Sequence, residues 1–306
     1  MLNRLPYPIA GLALGFAALG NLLGSYSQGI RYALGVLSGI IILALIAKII
    51  KYPKSFLEAM NHPLIGSSMA TFPMAIILLA VYIKPFLATL GIVLWWAAIL
   101  FYIWIIVIFV KNFILNFNIM KVFPSYFVLF VGICVTCLTA GAMGFPIVGK
   151  IAFWFGLITY ILLLYPVFKR IFVVKEFPEP GKPSIGIVAA PASLLLASYL
   201  TIFETKIPTV VIAGLIIAQL MYLFVLAKLP PFLTGKFFPA FSSFTFPFVI
   251  SAIALKQSVG FFKEGLNFTS PILSGLVTIE TIIAVVMVFY VAARYAKVLF
   301  VKDHNA

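Results

Sequence analysis

The chain has 306 residues, of which 64% are hydrophobic and only 9% are charged. Soluble domains carry about 25% charged residues, so this composition excludes a soluble enzyme and a disordered chain and predicts a polytopic membrane protein. The formal net charge of +14 is typical of basic loops beside anionic lipid, and we expect no nucleic-acid partner.

Charged residues divide the chain into ten apolar runs. A spanning helix needs about 20 apolar residues, and lysines that snorkel at the ends can extend a shorter run. We therefore predict an all-α fold of ten transmembrane helices in one domain, without cleavage of the first segment. The runs are Leu5–Ile30, Tyr32–Ala47, Pro63–Ile83, Pro85–Val110, Val122–Gly149, Ile151–Phe168, Pro183–Phe203, Ile207–Ala227, Phe237–Leu255 and Gly265–Ala293.

The basic residues are distributed unevenly between the two predicted membrane faces. Fifteen of the 21 lie on the side that holds both termini and the loops from even to odd helices. The positive-inside rule then places both termini in the cytoplasm and predicts a multi-pass protein of the plasma membrane. The six on the other side are Arg31, Lys84, Lys150, Lys206, Lys256 and Lys263.

A five-fold internal repeat is visible in the prolines. One proline begins each odd-numbered helix, and the intervals of 55 to 61 residues match the length of one helical hairpin. The predicted hairpins cover residues 1–60, 61–121, 122–180, 181–236 and 237–306. The five prolines are Pro8, Pro63, Pro124, Pro183 and Pro239.

A second proline lies deeper in three odd helices, at Pro73, Pro191 and Pro247. The spacing puts it on the order of 12–15 Å into the helix, near the middle of the bilayer. An interior proline removes a backbone hydrogen bond and bends the helix, and Gly15 loosens helix 1 at the corresponding depth. Helix 5 has Val131-Gly132 and no deep proline, so the sequence does not show whether helix 5 is bent.

Odd helices are rich in small residues, whereas even helices are rich in Leu, Ile and Phe. Small residues suit close packing or a cavity wall, and large apolar residues suit lipid. We therefore predict an inner ring of five odd helices around a pore and an outer ring of five even helices. The alternative is a compact bundle in which small residues only permit tight packing.

The odd helices carry no acidic or basic residue at membrane depth. A cation pathway or a proton relay would need intramembrane carboxylates, so a weakly binding anion pathway is favoured. Lys84 and Lys256, just beyond odd helices, either make a pore mouth electropositive or are solvated helix ends. Glu280, the one carboxylate at membrane depth, either hydrogen-bonds to a neighbouring helix or protomer or couples transport to protons.

Two phenylalanines occur in the same Thr-Phe-Pro triplet, Phe72 in helix 3 and Phe246 in helix 9. An aromatic side chain in a lumen can close it sterically and by excluding water. The alternative is that each ring fills the space beside a bend.

These motifs resemble the tellurite-resistance/dicarboxylate transporter family, which includes bacterial TehA proteins, yeast-type malate permeases and slow anion channels of plant guard cells. The similarity spans nearly the whole chain, and its best points are residues 8–19, 186–193 and 244–247. The resemblance implies five helical hairpins about a pore in each protomer of a homotrimer. It also implies that a helix-9 phenylalanine, here Phe246, plugs the pore.

We therefore predict an anion channel or channel-like transporter for small inorganic anions, with Phe246 and Phe72 as gate candidates. The alternative is a secondary carrier of C4-dicarboxylates or oxyanions such as tellurite, with Glu280 as the group for proton coupling. The sequence holds no phosphate loop, dinucleotide fingerprint or catalytic constellation, so neither an enzyme nor a cofactor is expected. Cys134 and Cys137 form a CxxC without two further zinc ligands nearby, so no metal site is predicted.

Overall fold

The computed structural model describes residues 2–300, which leaves Lys302 and His304 outside the described part of the chain. Within that range the ordered elements are helices, and no strand occurs. The apolar runs of the sequence become ten helical segments, α1 to α10. Their bounds are Tyr7–Leu23, Gln28–Lys51, Pro63–Ile83, Ala88–Ile114, residues 125–143, Pro146–Val174, Glu179–Ile202, Pro208–Lys228, Pro239–Leu266 and Pro271–Phe300.

Among the described residues, eight of these helices are long and apolar enough to cross a membrane. The exceptions are α1 and α5, whose continuous apolar parts, Tyr7–Leu23 and Gly132–Met143, are shorter. The prediction of an all-α, multi-pass membrane protein is confirmed at this level. Two short helices that the apolar runs do not predict, Pro53–Met60 and Pro230–Thr234, join α2 to α3 and α8 to α9.

Burial separates the long helices into two classes. Between 67% and 83% of the apolar window is buried in α3, α7 and α9, against 22% to 33% in the five even helices. The even helices carry most of the exposed Leu, Ile, Val and Phe side chains. An apolar surface of this size is unfavourable in water and favourable in the hydrocarbon of a bilayer. The even helices therefore present the lipid-facing surface.

Three odd helices are interrupted near their middle. The interruption in α3 separates Pro63–Ser68 from Thr71–Ile83. In α7 and α9 a 3-10 segment precedes the α-helices Ala190–Ile202 and Phe246–Leu266. Each deep proline stands in the first turn of the second half, where a missing N–H leaves no helical bond unmade. The prolines therefore begin the second halves, which is a gentler arrangement than a proline within a continuous helix.

The open question about α5 is resolved by packing. A 3-10 turn at Gly132–Cys134 separates the α-helices Ser125–Phe130 and Val135–Met143. The Tyr102 hydroxyl of α4 donates a hydrogen bond to the Val128 carbonyl oxygen at 2.6 Å, and a Cβ atom on Gly132 would lie 2.7 Å from that hydroxyl. The interruption of α5 is thus accompanied by a contact between Tyr102 and Gly132, whereas those of α3, α7 and α9 are accompanied by prolines.

Gly15 and Pro166 show that neither residue type breaks a helix by itself. Ala10–Leu23 continues through Gly15 without an interruption. Pro166 lies inside the continuous helix Pro146–Lys169 of α6. The interruptions depend on tertiary contacts as well as on local sequence.

Contacts among the odd helices form a closed cycle. Within the described residues, α1 contacts α3, α3 contacts α5, α5 contacts α7, α7 contacts α9, and α9 returns to α1. Each even helix packs against the odd helix that precedes it. Side-chain hydrogen bonds join neighbours in the cycle: the Ser67 and Ser125 hydroxyls are 2.6 Å apart, and those of Ser193 and Ser251 are 3.0 Å apart.

Candidate functional site

Two cavities lie along the axis of the cycle of odd helices. The first, which we call the N-side cavity, has a volume of about 50 Å³ and is lined by the N-terminal halves of the odd helices, including Ser68, Thr71, Val131, Pro191 and Ser242. The second, the C-side cavity, has a volume of about 380 Å³ and is lined mainly by their C-terminal halves. All five odd helices contribute to each cavity and no even helix does.

Among the described residues, Phe246 alone lines both cavities. Its side chain is 5% exposed and stands at the first position of the second half of α9. Its neighbour Pro247 lines only the N-side cavity, and Ile250, one turn further, lines only the C-side cavity. The phenyl ring therefore lies at the boundary between the two spaces.

The backbone before Phe246 is held by α1. Thr245 has φ −102° and ψ −87°, outside helical geometry, and is fully buried. Its hydroxyl donates a hydrogen bond to the Gly11 carbonyl oxygen at 2.8 Å. A Cβ atom on Gly15 would lie 2.7 Å from the Thr245 Cβ atom, so the glycine permits an approach that no other residue allows. Gly15 therefore allows α1 to pack closely against Thr245, the residue before Phe246.

Phe72 occupies a different environment although its triplet is identical. It lines neither cavity. Its ring packs edge-on against Phe101 of α4, with centroids 6.0 Å apart. Thr71, directly before it, does line the N-side cavity. The side chain of Phe72 therefore fills the space between an odd and an even helix.

The predicted lumen-shaping prolines are divided between two environments. Pro191 and Pro247 line the N-side cavity, whereas Pro73 is buried without lining either cavity. The hydroxyls at the N-side cavity donate to backbone oxygens, for example Ser68 to Leu64 at 2.7 Å and Thr71 to Ser68 at 2.8 Å. The lining of this cavity carries no charged side chain among the described residues.

Among the described residues, the lining of the C-side cavity includes one cationic side chain, that of Lys256. Lys256 donates hydrogen bonds to the Ser25 hydroxyl at 2.6 Å and the Leu22 carbonyl oxygen at 3.4 Å. Its ammonium group also lies 4.6 Å from the centroid of the Tyr26 ring. Lys84 lines neither cavity, and its ammonium group donates to the carbonyl oxygen of Ala142. Lys256 lies within α9, which continues to Leu266, and not just beyond that helix as predicted.

Glu280 lies away from both cavities. It is 3% exposed in α10 and stands beside Gln219 and Tyr222 of α8. Among the described residues, Glu280 Oε2 and the Tyr222 hydroxyl have no hydrogen-bond partner. The carboxyl group therefore faces the neighbouring helix α8 of the same chain.

The two cysteines are packing residues of the α5–α6 contact. Cys134 donates to the Ala152 carbonyl oxygen at 3.4 Å and Cys137 to that of Gly149 at 3.1 Å. Both thiols are buried and free. Within residues 2–300 no cluster of three or more metal-ligating side chains occurs.

Sequence reasoning did not single out Thr245 and Asn21 as residues of this region. Gly11 and Asn21 line the cavities, and Thr245 holds the α9 interruption. Position in the Thr-Phe-Pro triplet was the only available signal for Thr245. The sequence does not say which face of α1 Gly11 occupies.

A bundle of interrupted apolar helices, with two cavities lined by all five odd helices, is typical of one class of protein, the multi-pass membrane channels and transporters. Within that class, the family model described as voltage-dependent anion channel (SLAC1) matches residues 5–296. The chain belongs to this family, which confirms the resemblance found in the sequence. A search of curated proteins gave no matching relative.

Proposed function

We propose that the protein is a channel that conducts small anions through the lumen of its odd helices, and that Phe246 is the gate. The observation that carries the proposal is that Phe246 alone borders both axial cavities. A ring at that boundary blocks passage by volume and by excluding water. We assign the gate to Phe246 and not to Phe72, because Phe72 packs against Phe101.

The proposed architecture is an inner ring of five odd helices surrounded by five even helices. Three observations support it: the closed cycle of contacts, the higher burial of odd helices, and the restriction of the cavity linings to odd helices and the loop after α1. The compact-bundle alternative does not account for the third observation. On this proposal all ten segments cross the membrane, including the shorter α1 and α5.

Anion preference is proposed to arise from helix ends and from one lysine. The helices Thr71–Ile83, Ala190–Ile202 and Phe246–Leu266 begin at residues that line the N-side cavity. A helix N-terminus carries roughly +0.5 elementary charge, so three such ends favour an anion there. Lys256 adds a full positive charge at the C-side cavity. Neither lining contains a carboxylate among the described residues.

A proton-coupled carrier would need an ionisable group that the transported solute or its water can reach. Glu280 is the only intramembrane carboxylate the sequence offers, and it lies beside Gln219 and Tyr222 instead of lining a cavity. This placement supports conduction without coupling over transport of C4-dicarboxylates or tellurite by a coupled mechanism.

We also propose a homotrimer with a separate lumen in each protomer, in the plasma membrane, with cytoplasmic termini. The trimer follows from the family resemblance. The orientation is supported by the excess of basic residues on the side of the even-to-odd loops.

Current recordings of Phe246→Ala in planar bilayers test the gate. Removal of the ring joins the two cavities, so we expect at least a 10-fold rise in ohmic anion current, on the order of 1.4 kcal/mol or more in the barrier. Phe72→Ala is the matched control, because it removes the same side chain from the same triplet and should leave the current unchanged. Equal currents in the two variants would contradict the assignment.

The reversal potential under chloride, nitrate and malate gradients tests the permeant ion. A potential that follows the inorganic anion gradient supports the channel. A flux of malate that depends on a pH gradient, and that Glu280→Gln abolishes, would support the carrier instead.

A further inference from the structure

A second, separate site lies on the outside of the helix bundle, at the end where the even helices finish and the odd helices begin. This cleft has a volume of about 530 Å³ and is bounded by the end of α6, the start of α7 and the end of α8. Three lysines line it, Lys175, Lys182 and Lys228, and among the described residues it is lined by no Asp or Glu. All three lysines are exposed, so the cleft presents positive charge that a ligand can reach.

The rest of the cleft wall is apolar and aromatic. It includes Phe172, Phe177 and Phe232 together with Ile171 and Ile185. Phe172 is 48% exposed and packs against Phe224 of α8 with centroids 5.6 Å apart. A free inorganic anion would gain nothing from these rings, whereas a molecule with a negative head and an apolar tail would contact both parts of the wall.

The backbone at Lys175 is held in an unusual conformation that helps to form the cleft. Lys175 has φ +59°, in the left-handed region, which costs a residue with a side chain roughly 1–2 kcal/mol. The preceding turn is fixed by Arg170, which is 2% exposed and donates to the carbonyl oxygens of Met120, at 3.3 Å, and of Glu176. Arg170 also lies over the Phe177 ring, 4.8 Å from its centroid. Arg170 thus fixes the turn that carries Lys175, and the nearby Glu176 carboxylate balances part of its charge.

From this combination we propose that the cleft binds the phosphate headgroup of an anionic phospholipid, with its acyl chains against the exposed rings of α6 and α8. Basic pockets between membrane helices on the lysine-rich side are suited to such headgroups. The chemistry recognised is a phosphate ester. The apolar wall and the position of the cleft between two lipid-facing helices favour a bilayer lipid over a free phosphate as its source.

The cleft is joined to the lumen by two direct contacts. Ser184 of α7 lines both the cleft and the N-side cavity. The Phe232 ring, in the cleft wall, lies 5.3 Å from that of Phe244 of α9, two residues before Phe246. A headgroup in the cleft would therefore contact the parts of α7 and of the α8–α9 connection that pack against the lumen. We expect bound lipid to alter anion flux through these contacts.

Lipid binding is tested on the purified full-length protein by native mass spectrometry, which reads binding without any transport assay. The variant is the triple substitution Lys175→Gln, Lys182→Gln and Lys228→Gln. The matched control removes three exposed lysines that lie outside the cleft on the same predicted membrane side, Lys54→Gln, Lys111→Gln and Lys236→Gln. Each lysine near a headgroup contributes about five-fold in affinity, so the triple variant should bind phosphatidylglycerol on the order of 100-fold more weakly, and the control should bind like the wild type.

Three arms identify the source of the phosphate. Phosphatidylglycerol should bind, phosphatidylcholine should not compete with it, and inorganic phosphate at equal concentration should not displace it. Displacement by inorganic phosphate would overturn the lipid assignment in favour of a small-anion site. Equal phosphatidylglycerol binding by the triple variant and its control would overturn the site itself.

The link to the lumen is tested separately in vesicles of graded phosphatidylglycerol content. Flux through the wild type and the control should change with lipid content, and flux through the triple variant should change at least 10-fold less. Unchanged lipid binding with absent conduction would refute the proposed channel while leaving the lipid site intact, so the two failures are distinguishable.

Discussion

Gly15 of α1 and Thr245 of α9 approach each other so closely that a Cβ atom on Gly15 would come within 2.7 Å of the Thr245 Cβ atom. Thr245 is the last residue before Phe246, so this contact fixes the backbone that carries the proposed gate. The threonine hydroxyl, donating to the Gly11 oxygen at 2.8 Å, holds the same junction from a second point. The position of the Phe246 ring therefore depends on contacts with α1, a helix from the other end of the chain.

Gly15→Ala should raise basal anion flux. The added methyl group must displace Thr245, and overpacking of this kind costs about 1–3 kcal/mol, which we expect to move Phe246 from its seat. Flux in proteoliposomes measures the effect. Gly39→Ala is the control, because a Cβ atom at residue 39 would meet nothing within 4 Å.

The double variant with Phe246→Ala separates gate displacement from a general loss of packing. If Gly15→Ala acts through the ring, it adds no flux once the ring is absent. An increase of equal size in both backgrounds would mean that the substitution opens another path.

Lys256→Gln should reduce anion flux by about 10-fold at low ionic strength, because the ammonium group raises the local anion concentration at the C-side cavity. The difference should nearly vanish at about 1 M salt, where the screening length falls to about 3 Å. Conductance as a function of salt concentration measures this. Lys263→Gln removes the same charge one to two turns later on α9, at a residue that does not line the cavity, and should have little effect.

Glu280→Gln should leave flux and its pH dependence unchanged to within about two-fold, because the carboxyl group faces Gln219 and Tyr222 and lines no cavity. The neutral amide also removes the desolvation cost of a buried charge, so thermal stability should be retained or raised. Flux at several pH values and a thermal melt in detergent measure both quantities. Loss of proton-driven uptake in this variant would contradict the channel proposal.

Tyr102→Phe should lower the free energy of unfolding by about 1–3 kcal/mol, since it leaves the Val128 carbonyl oxygen of the α5 interruption without its 2.6 Å hydrogen bond. The melting temperature in detergent measures the loss. Tyr165→Phe serves as control because Tyr165 is 71% exposed. Equal melting temperatures for the two variants would show that the α5 interruption does not depend on Tyr102.

The class of the fold could be predicted from the sequence because membrane burial imposes long uncharged runs. The interruptions of α3, α7 and α9 were also readable, because Pro73, Pro191 and Pro247 mark them. The interruption of α5 could not be predicted, because it accompanies the contact of Gly132 with Tyr102 from another helix. Two of the predicted spans, α1 and α5, fall short of the length expected of a crossing helix.

The site was harder to predict than the fold for a geometric reason. Phe72 and Phe246 have identical neighbours in sequence, and their different surroundings depend on the rotation of each half-helix about its axis. Gly15 was expected to loosen α1. Its contact with Thr245, 230 residues away in sequence, depends on the tertiary structure and could not be predicted from the local sequence. Lys84 and Lys256 likewise looked equivalent until the hydrogen bond of Lys84 to Ala142 placed it outside the lumen.

The boundary formed by a single phenyl ring has a consequence for how the membrane voltage acts on the protein. With Phe246 as the proposed gate, the ring and the N-side cavity of about 50 Å³ are the narrowest part of the path, so we expect the voltage to fall most steeply there. A unit charge moved across 100 mV changes in energy by about 2.3 kcal/mol, and here that change is concentrated within a few ångströms. If Phe246 is the gate, as proposed, a small movement of its side chain changes the barrier at the point where the voltage acts most strongly.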